Sequence, residues 1–141
     1  MTQAMCTSFK KELFTATHNF SAAGGHTFKM ALFTSSATLD ASTTAYAATN
    51  EVSSVNYTAG GQALTNVDPS ISGTTAMCTF SAGPSWTGVS FTASQALLYN
   101  STQSGKAVAV LDFGGNQTVS SGTFTVNLPA VTATTALLRL L

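Results

Sequence analysis

From residue 21 onward this chain is cut into short runs by glycine, proline, asparagine and serine, and within the runs apolar and polar side chains alternate. The breaks fall about every 8–12 residues, the spacing of strands joined by tight turns. A period of two puts alternate side chains on opposite faces of a strand. Residues 26–34 thus place Phe28, Met30 and Leu32 on one face and Thr27, Lys29 and Ala31 on the other. Further runs cover 62–67, 74–80, 86–92, 95–99, 106–113, 117–120, 123–128 and 136–141. Asp68-Pro69, Ser72-Gly73, Gly83-Pro84, Gly114-Gly115-Asn116 and Ser121-Gly122 supply turn chemistry between them. The runs 95–99 and 106–113, joined by the polar stretch 100–105, read as a central hairpin. No helical run separates successive strands, which excludes a parallel βαβ sheet. No fixed period repeats, which excludes a solenoid or propeller. The pattern predicts an all-β fold, an antiparallel β-sandwich or jelly roll of about eight strands with one short N-terminal helix.

The helix is expected over residues 8–17, with Ser8 as its cap and Phe9, Leu13 and Phe14 as its apolar stripe. Residues 1–7 show no periodicity and are expected to form an arm ahead of a single domain over 8–141, since 141 residues suit one core and not two. Residues 35–58 are dominated by Ser, Thr and Ala and read as a long surface excursion, with Tyr46 and Tyr57 as contact residues. The end of the chain is apolar: Leu137, Leu138, Leu140 and Leu141 surround Arg139. Such a terminus must close a sheet of its own domain or bury itself in a neighbour.

Charge narrows the function classes. Asp, Glu, Lys and Arg make up 7% of the chain, five basic and five acidic side chains, where soluble proteins average about 25%. Five scattered cations cannot track a phosphate backbone or hold an anionic bilayer, so neither nucleic acid nor membrane is an expected partner. No run of apolar residues is long enough to span a bilayer, and Lys10-Lys11 is not followed by the apolar core of a secretion signal. A soluble protein made in a cytoplasm is the expectation, with Cys6 and Cys78 as free thiols. A net charge of zero leaves little repulsion between copies and favours association.

Chemistry is poorly represented. His18 and His26 lack the tight spacing of metal ligands, so no metal or cofactor is expected. No G-x-S-x-G elbow accompanies the serines, and no cation flanks Cys78. A glycosidase pair would need two of Asp40, Glu51, Asp68 and Asp112 to converge. The glycine doublets are not followed by Lys-Ser/Thr, so no phosphate loop is present. Trp86, the sole tryptophan, reads first as a core or rim aromatic. The expectation is a protein without catalytic residues.

Five stretches carry a resemblance: ELFTATHNF at 12–20, TFKMALF at 27–33, YTAGG at 57–61, ALLYN at 96–100 and AVAVLDFGG at 107–115. Together they resemble a family of small virion proteins of tailed bacteriophages, over most of residues 9–140, and within it the capsid-cementing (decoration) proteins of short-tailed phages. The resemblance implies a jelly roll seated on the exterior of an HK97-like shell after synthesis in the bacterial cytoplasm. It implies the major capsid protein as partner, and a second copy of the chain in a dimer. The candidate contact residues are Phe9, Leu13, Phe14, Tyr46, Tyr57, Leu137, Leu138, Leu140 and Leu141. A neck or tail component is the alternative on the same residues. From a different class, a carbohydrate-binding sandwich would use Trp86, Tyr46 and Tyr57 as a stacking platform.

Overall fold

One long hairpin organises the computed structural model, which describes residues 2–141. Among those residues there are eight strands and one helix: β1 (Thr2–Met5), α1 (Thr7–Leu13), β2 (Phe28–Phe33), β3 (Gln62–Ala63), β4 (Ser70–Ser72), β5 (Thr75–Cys78), β6 (Ser85–Asn100), β7 (Lys106–Thr125) and β8 (Leu138–Leu140). They form two antiparallel sheets, one in the order β1-β7-β6-β2-β3 and one in the order β4-β5-β8. This is the all-β, two-sheet architecture that the period-two runs predict.

The hairpin is β6 with β7. Its turn closes through Ser104 and Gly105, both in the left-handed region, and Gly105 N donates to Asn100 O at 3.0 Å. The expected breaks inside both strands are bulges and not turns. Gln95 pairs with Asp112 while Ala93 pairs with Gln117, so Phe113, Gly114, Gly115 and Asn116 bulge out opposite Ser94. Gly114 has φ 80° and Gly115 φ 149°, backbone that a side chain resists. Gly88 and Ser121 mark further irregularities of register. The glycines that end a strand in isolation here only bend it.

The N-terminal residues are not a free arm. Thr2–Met5 form the edge strand, Gln3 opposite Leu111 and Met5 opposite Ala109, and Cys6 N donates to Val108 O at 2.9 Å. A strand without alternation was invisible in sequence because an edge strand is held by its backbone bonds. Met1 of the expected arm lies outside the described residues.

The helix is also shorter than expected. It begins after Cys6, which makes no side-chain cap, and stops at Leu13 with Phe14 as C-cap. Thr15 Oγ1 donates to Glu12 O, and Ala16 turns into the left-handed region at φ 55°. A threonine hydroxyl offers the backbone an alternative to the helix, and here it prevails. Ser8 lies inside the first turn with its hydroxyl buried and unpartnered.

The interior is continuous across both sheets. Phe9, Phe28, Met30, Leu32, Leu97, Leu98, Val108 and Leu111 are buried in it, joined by Phe80, Val126, Leu137 and Leu138 from the second sheet and its connections. Phe20 stacks on Phe28 at 4.2 Å between centroids, and Phe80 stands 5.8 Å from Phe28. The apolar C-terminus closes its own domain: Cys78 faces Leu138 and Ala76 faces Leu140 across β5 and β8.

Candidate interaction surface

Helix α1, Phe20 and the small sheet meet around an apolar pocket of about 180 Å³. Met5, Phe9, Leu13 and Phe20 form one wall, and Ala76, Cys78, Leu138 and Leu140 the other. Register explains the second wall. Directly opposed strand residues share a face, so Ala76 with Leu140 and Cys78 with Leu138 point the same way. The same row continues through Ala76 to Ile71 on β4. Beside the wall residues in the chain or the ladder, apolar side chains stand exposed: Phe14 (93%) follows Leu13, Ile71 faces Ala76, and Leu141 (94%) follows Leu140, itself 50% exposed.

The expected contact residues therefore divide. Phe9 is buried and Leu13 half-buried, and both line the pocket. Leu137 and Leu138 are buried in the core, while Phe14, Leu140 and Leu141 face solvent. Met5, Phe20 and Met77, which sequence reasoning did not single out, belong to the same pocket.

Tyr46 and Tyr57 are placed differently from what was expected of them. Tyr57 is 8% exposed, and its hydroxyl oxygen accepts from Leu32 N at 2.9 Å. Tyr46 stacks on Tyr99 at 4.7 Å and donates to the Glu51 carboxylate at 3.0 Å. Gly60 N donates to the same carboxylate at 2.8 Å, and Tyr99 donates to Gly60 O at 2.6 Å. Burial, then the Glu51 hydrogen bond and charge, push the Tyr46 hydroxyl up to about 12. Burial, with Glu51 second, does the same to Tyr99, up to about 12, and burial raises the Tyr57 hydroxyl as well. These tyrosines fasten the 35–58 excursion to the sheet. They are joints within the molecule, Tyr57 buried and Tyr46 half-buried.

Trp86 is 3% exposed and packs on Tyr57 at 5.5 Å. Trp86, Tyr46 and Tyr57 therefore do not form an open stacking platform, which removes the basis of the carbohydrate reading.

The titratable groups mostly do structural work. Asp40 and Asp112 line a second pocket with Gln3, Gln95, Leu39 and Val110. Asp40 accepts from the Ser42 hydroxyl and backbone N–H, and those bonds hold its carboxyl below the usual range, the opposite of what an acid catalyst needs. Asp112 accepts from Gly114 N at the bulge and Asp68 from Ala22 N. Burial, helped by the negative charges of Asp40 and Glu12, pushes the Cys6 thiol up to about 11. Burial alone takes Cys78 up to about 12, so neither is an activated nucleophile.

His18 and His26 do converge, which their spacing did not reveal. Asn100 Nδ2 donates to His18 Nδ1 at 3.0 Å and to His26 Nδ1 at 2.9 Å, while His18 Nε2 meets Glu12 Oε1 at 3.1 Å. Lys106 Nζ lies 3.4 Å from Glu12 Oε2. Among the described residues no three His, Cys, Asp or Glu side chains are grouped as metal ligands, and no helix is long and apolar enough to cross a membrane. Compared with known proteins, the chain matches no family model, no curated protein and no solved structure.

Proposed function

We propose that this protein is a non-enzymatic structural component of a phage virion that binds the outside of the capsid shell as a cement protein. The observation that carries the reading is the apolar end of the molecule. Leu140 lines an apolar pocket and is half exposed, and Phe14, Ile71 and Leu141 stand exposed beside lining residues in the chain or the ladder, on a chain with only five basic and five acidic side chains. Apolar surface gains about 25 cal/mol for each Å² that a partner covers. Contact of that kind on one shell subunit is modest, but binding to the assembled shell and not to its unfolded subunits stabilises the shell by mass action. The resemblance of residues 9–140 to small phage virion proteins supports the same assignment.

On this reading the major capsid protein is the partner, and the pocket with its exposed rim is the docking end. Quantitative mass spectrometry of purified virions tests it. A copy number near parity with the major capsid protein is the expected result. A few copies per hundred capsid subunits would instead make the protein a neck or tail part, and absence from virions would end the structural reading.

A further inference from the structure

Asn100 is fully buried at the mouth of the β6–β7 turn, and its carboxamide orientation is fixed by groups that can only donate. Its Oδ1 accepts from Thr102 N at 3.1 Å and from Gln103 N at 3.2 Å. Its Nδ2 must then donate both hydrogens, one to His18 Nδ1 and one to His26 Nδ1. Asn19 N also donates to His26 Nδ1, at 3.3 Å. Both Nδ1 atoms are therefore acceptors, and both rings are neutral with their proton on Nε2. The His18 side chain is wholly buried and its Nε2–H points at Glu12. One amide thus ties α1, the 18–26 segment and the hairpin turn together.

We propose that His18, His26 and Asn100 form a proton-sensitive latch that opens when His26 gains a proton. A proton at His26 Nδ1 turns the acceptor of two hydrogen bonds into a donor facing two donors, Asn19 N–H and Asn100 Nδ2–H. Turning the ring over gives no relief, because both nitrogens of an imidazolium carry hydrogen. Among the described residues no carboxylate pairs with His26; the titratable group that shares its amide is His18. His26 is the ring that solvent reaches, being half-buried, whereas the His18 side chain is wholly buried with its Nε2 held by Glu12, whose carboxylate Lys106 of β7 shares. Opening frees the segment that carries Phe20, whose ring is part of the pocket wall and stacks on Phe28. A proton on His26 Nδ1 is compatible only with the open arrangement, so acid opens the latch and base closes it. This device is independent of what the pocket binds.

Nuclear magnetic resonance on the intact chain tests it. Long-range ¹H–¹⁵N spectra at about pH 8 are expected to show both rings protonated on Nε2 only, and a proton on either Nδ1 would overturn the proposal. Between about pH 8 and about pH 5, amide protection of Asn19, Thr102 and Gln103, corrected for the intrinsic rate, should fall about tenfold more than that of Leu98, as the loss of one hydrogen bond implies. An equal change at all four sites would contradict it. His26→Gln keeps an acceptor but cannot titrate, so the differential loss should vanish; its persistence would remove His26 as the trigger. Asn100→Asp replaces the shared donor with an acceptor and should reverse the direction, with protection greater at about pH 5. Should either variant fail to fold, the ring protonation pattern of the unsubstituted chain still decides.

Discussion

The 35–58 excursion and the α1–β8 end both read as contact surfaces in the sequence, and they have opposite fates. In the excursion each aromatic finds a polar partner inside the molecule: Tyr46 on Glu51, Tyr57 on the backbone of Leu32. The segment is stitched to the sheet by Val52 N on Leu32 O, Tyr46 N on Gly105 O and Ala107 N on Thr44 O, and of its large apolar side chains only Val55 is left well exposed. At the α1–β8 end the exposed groups are Phe14, Ile71, Leu141 and the outer half of Leu140, which have no polar tip to satisfy. An aromatic with a hydroxyl can be consumed by its own fold. A phenyl or isobutyl group left in water is the feature that calls for a partner.

The largest effect that sharpens this contrast is Tyr57→Ala. It empties a buried site against Trp86 and Phe91 and leaves Leu32 N unpaired, so a loss of about 3–5 kcal/mol is expected from urea denaturation. A loss below about 1 kcal/mol would mean that the tyrosine is not a joint. Glu51→Ala comes next. It strands the Tyr46 hydroxyl and Gly60 N, and about 1–3 kcal/mol should disappear.

Alkaline pH should loosen the same region. The folded phenols of Tyr46 and Tyr99 hold their protons up to about 12 against an ordinary 10, so their contribution is complete below 10 and fades as pH rises towards 12. The urea midpoint should therefore drop over that interval, with phenolate absorbance rising alongside it. Phenolate formation near 10 in the folded protein would break the argument. The smallest effect belongs to the other region. Phe14→Ser should change stability by no more than about 0.5 kcal/mol, because nothing packs on an exposed ring, while weakening attachment to shells in a sedimentation assay.

Much of the fold was legible because it rests on local signals. The 95–99 and 106–113 runs with a polar turn gave the hairpin, and the alternation around Phe28 gave β2. What failed depended on tertiary context. Gly114-Gly115 has the composition of a turn, and only the partner strand makes it a bulge. Thr2–Met5 has no pattern of its own and becomes a strand by docking on β7. The pocket was half legible: Leu13, Leu138 and Leu140 stood out as apolar ends, whereas Met5 is brought in by β1 pairing with β7, Met77 by β5 pairing with β8, and Phe20 by its stacking on Phe28. The Glu12–His18–Asn100–His26 network joins residues far apart in the chain, and no spacing rule announces it.

The most direct measurement is hydroxyl-radical footprinting of the protein free and on intact virions, read residue by residue. The account predicts strong protection at Phe14, Ile71, Leu140 and Leu141 on the shell, with Tyr46 and Val55 unchanged. Unchanged labelling at Phe14 and Leu140, or protection centred on the 35–58 excursion, would contradict it.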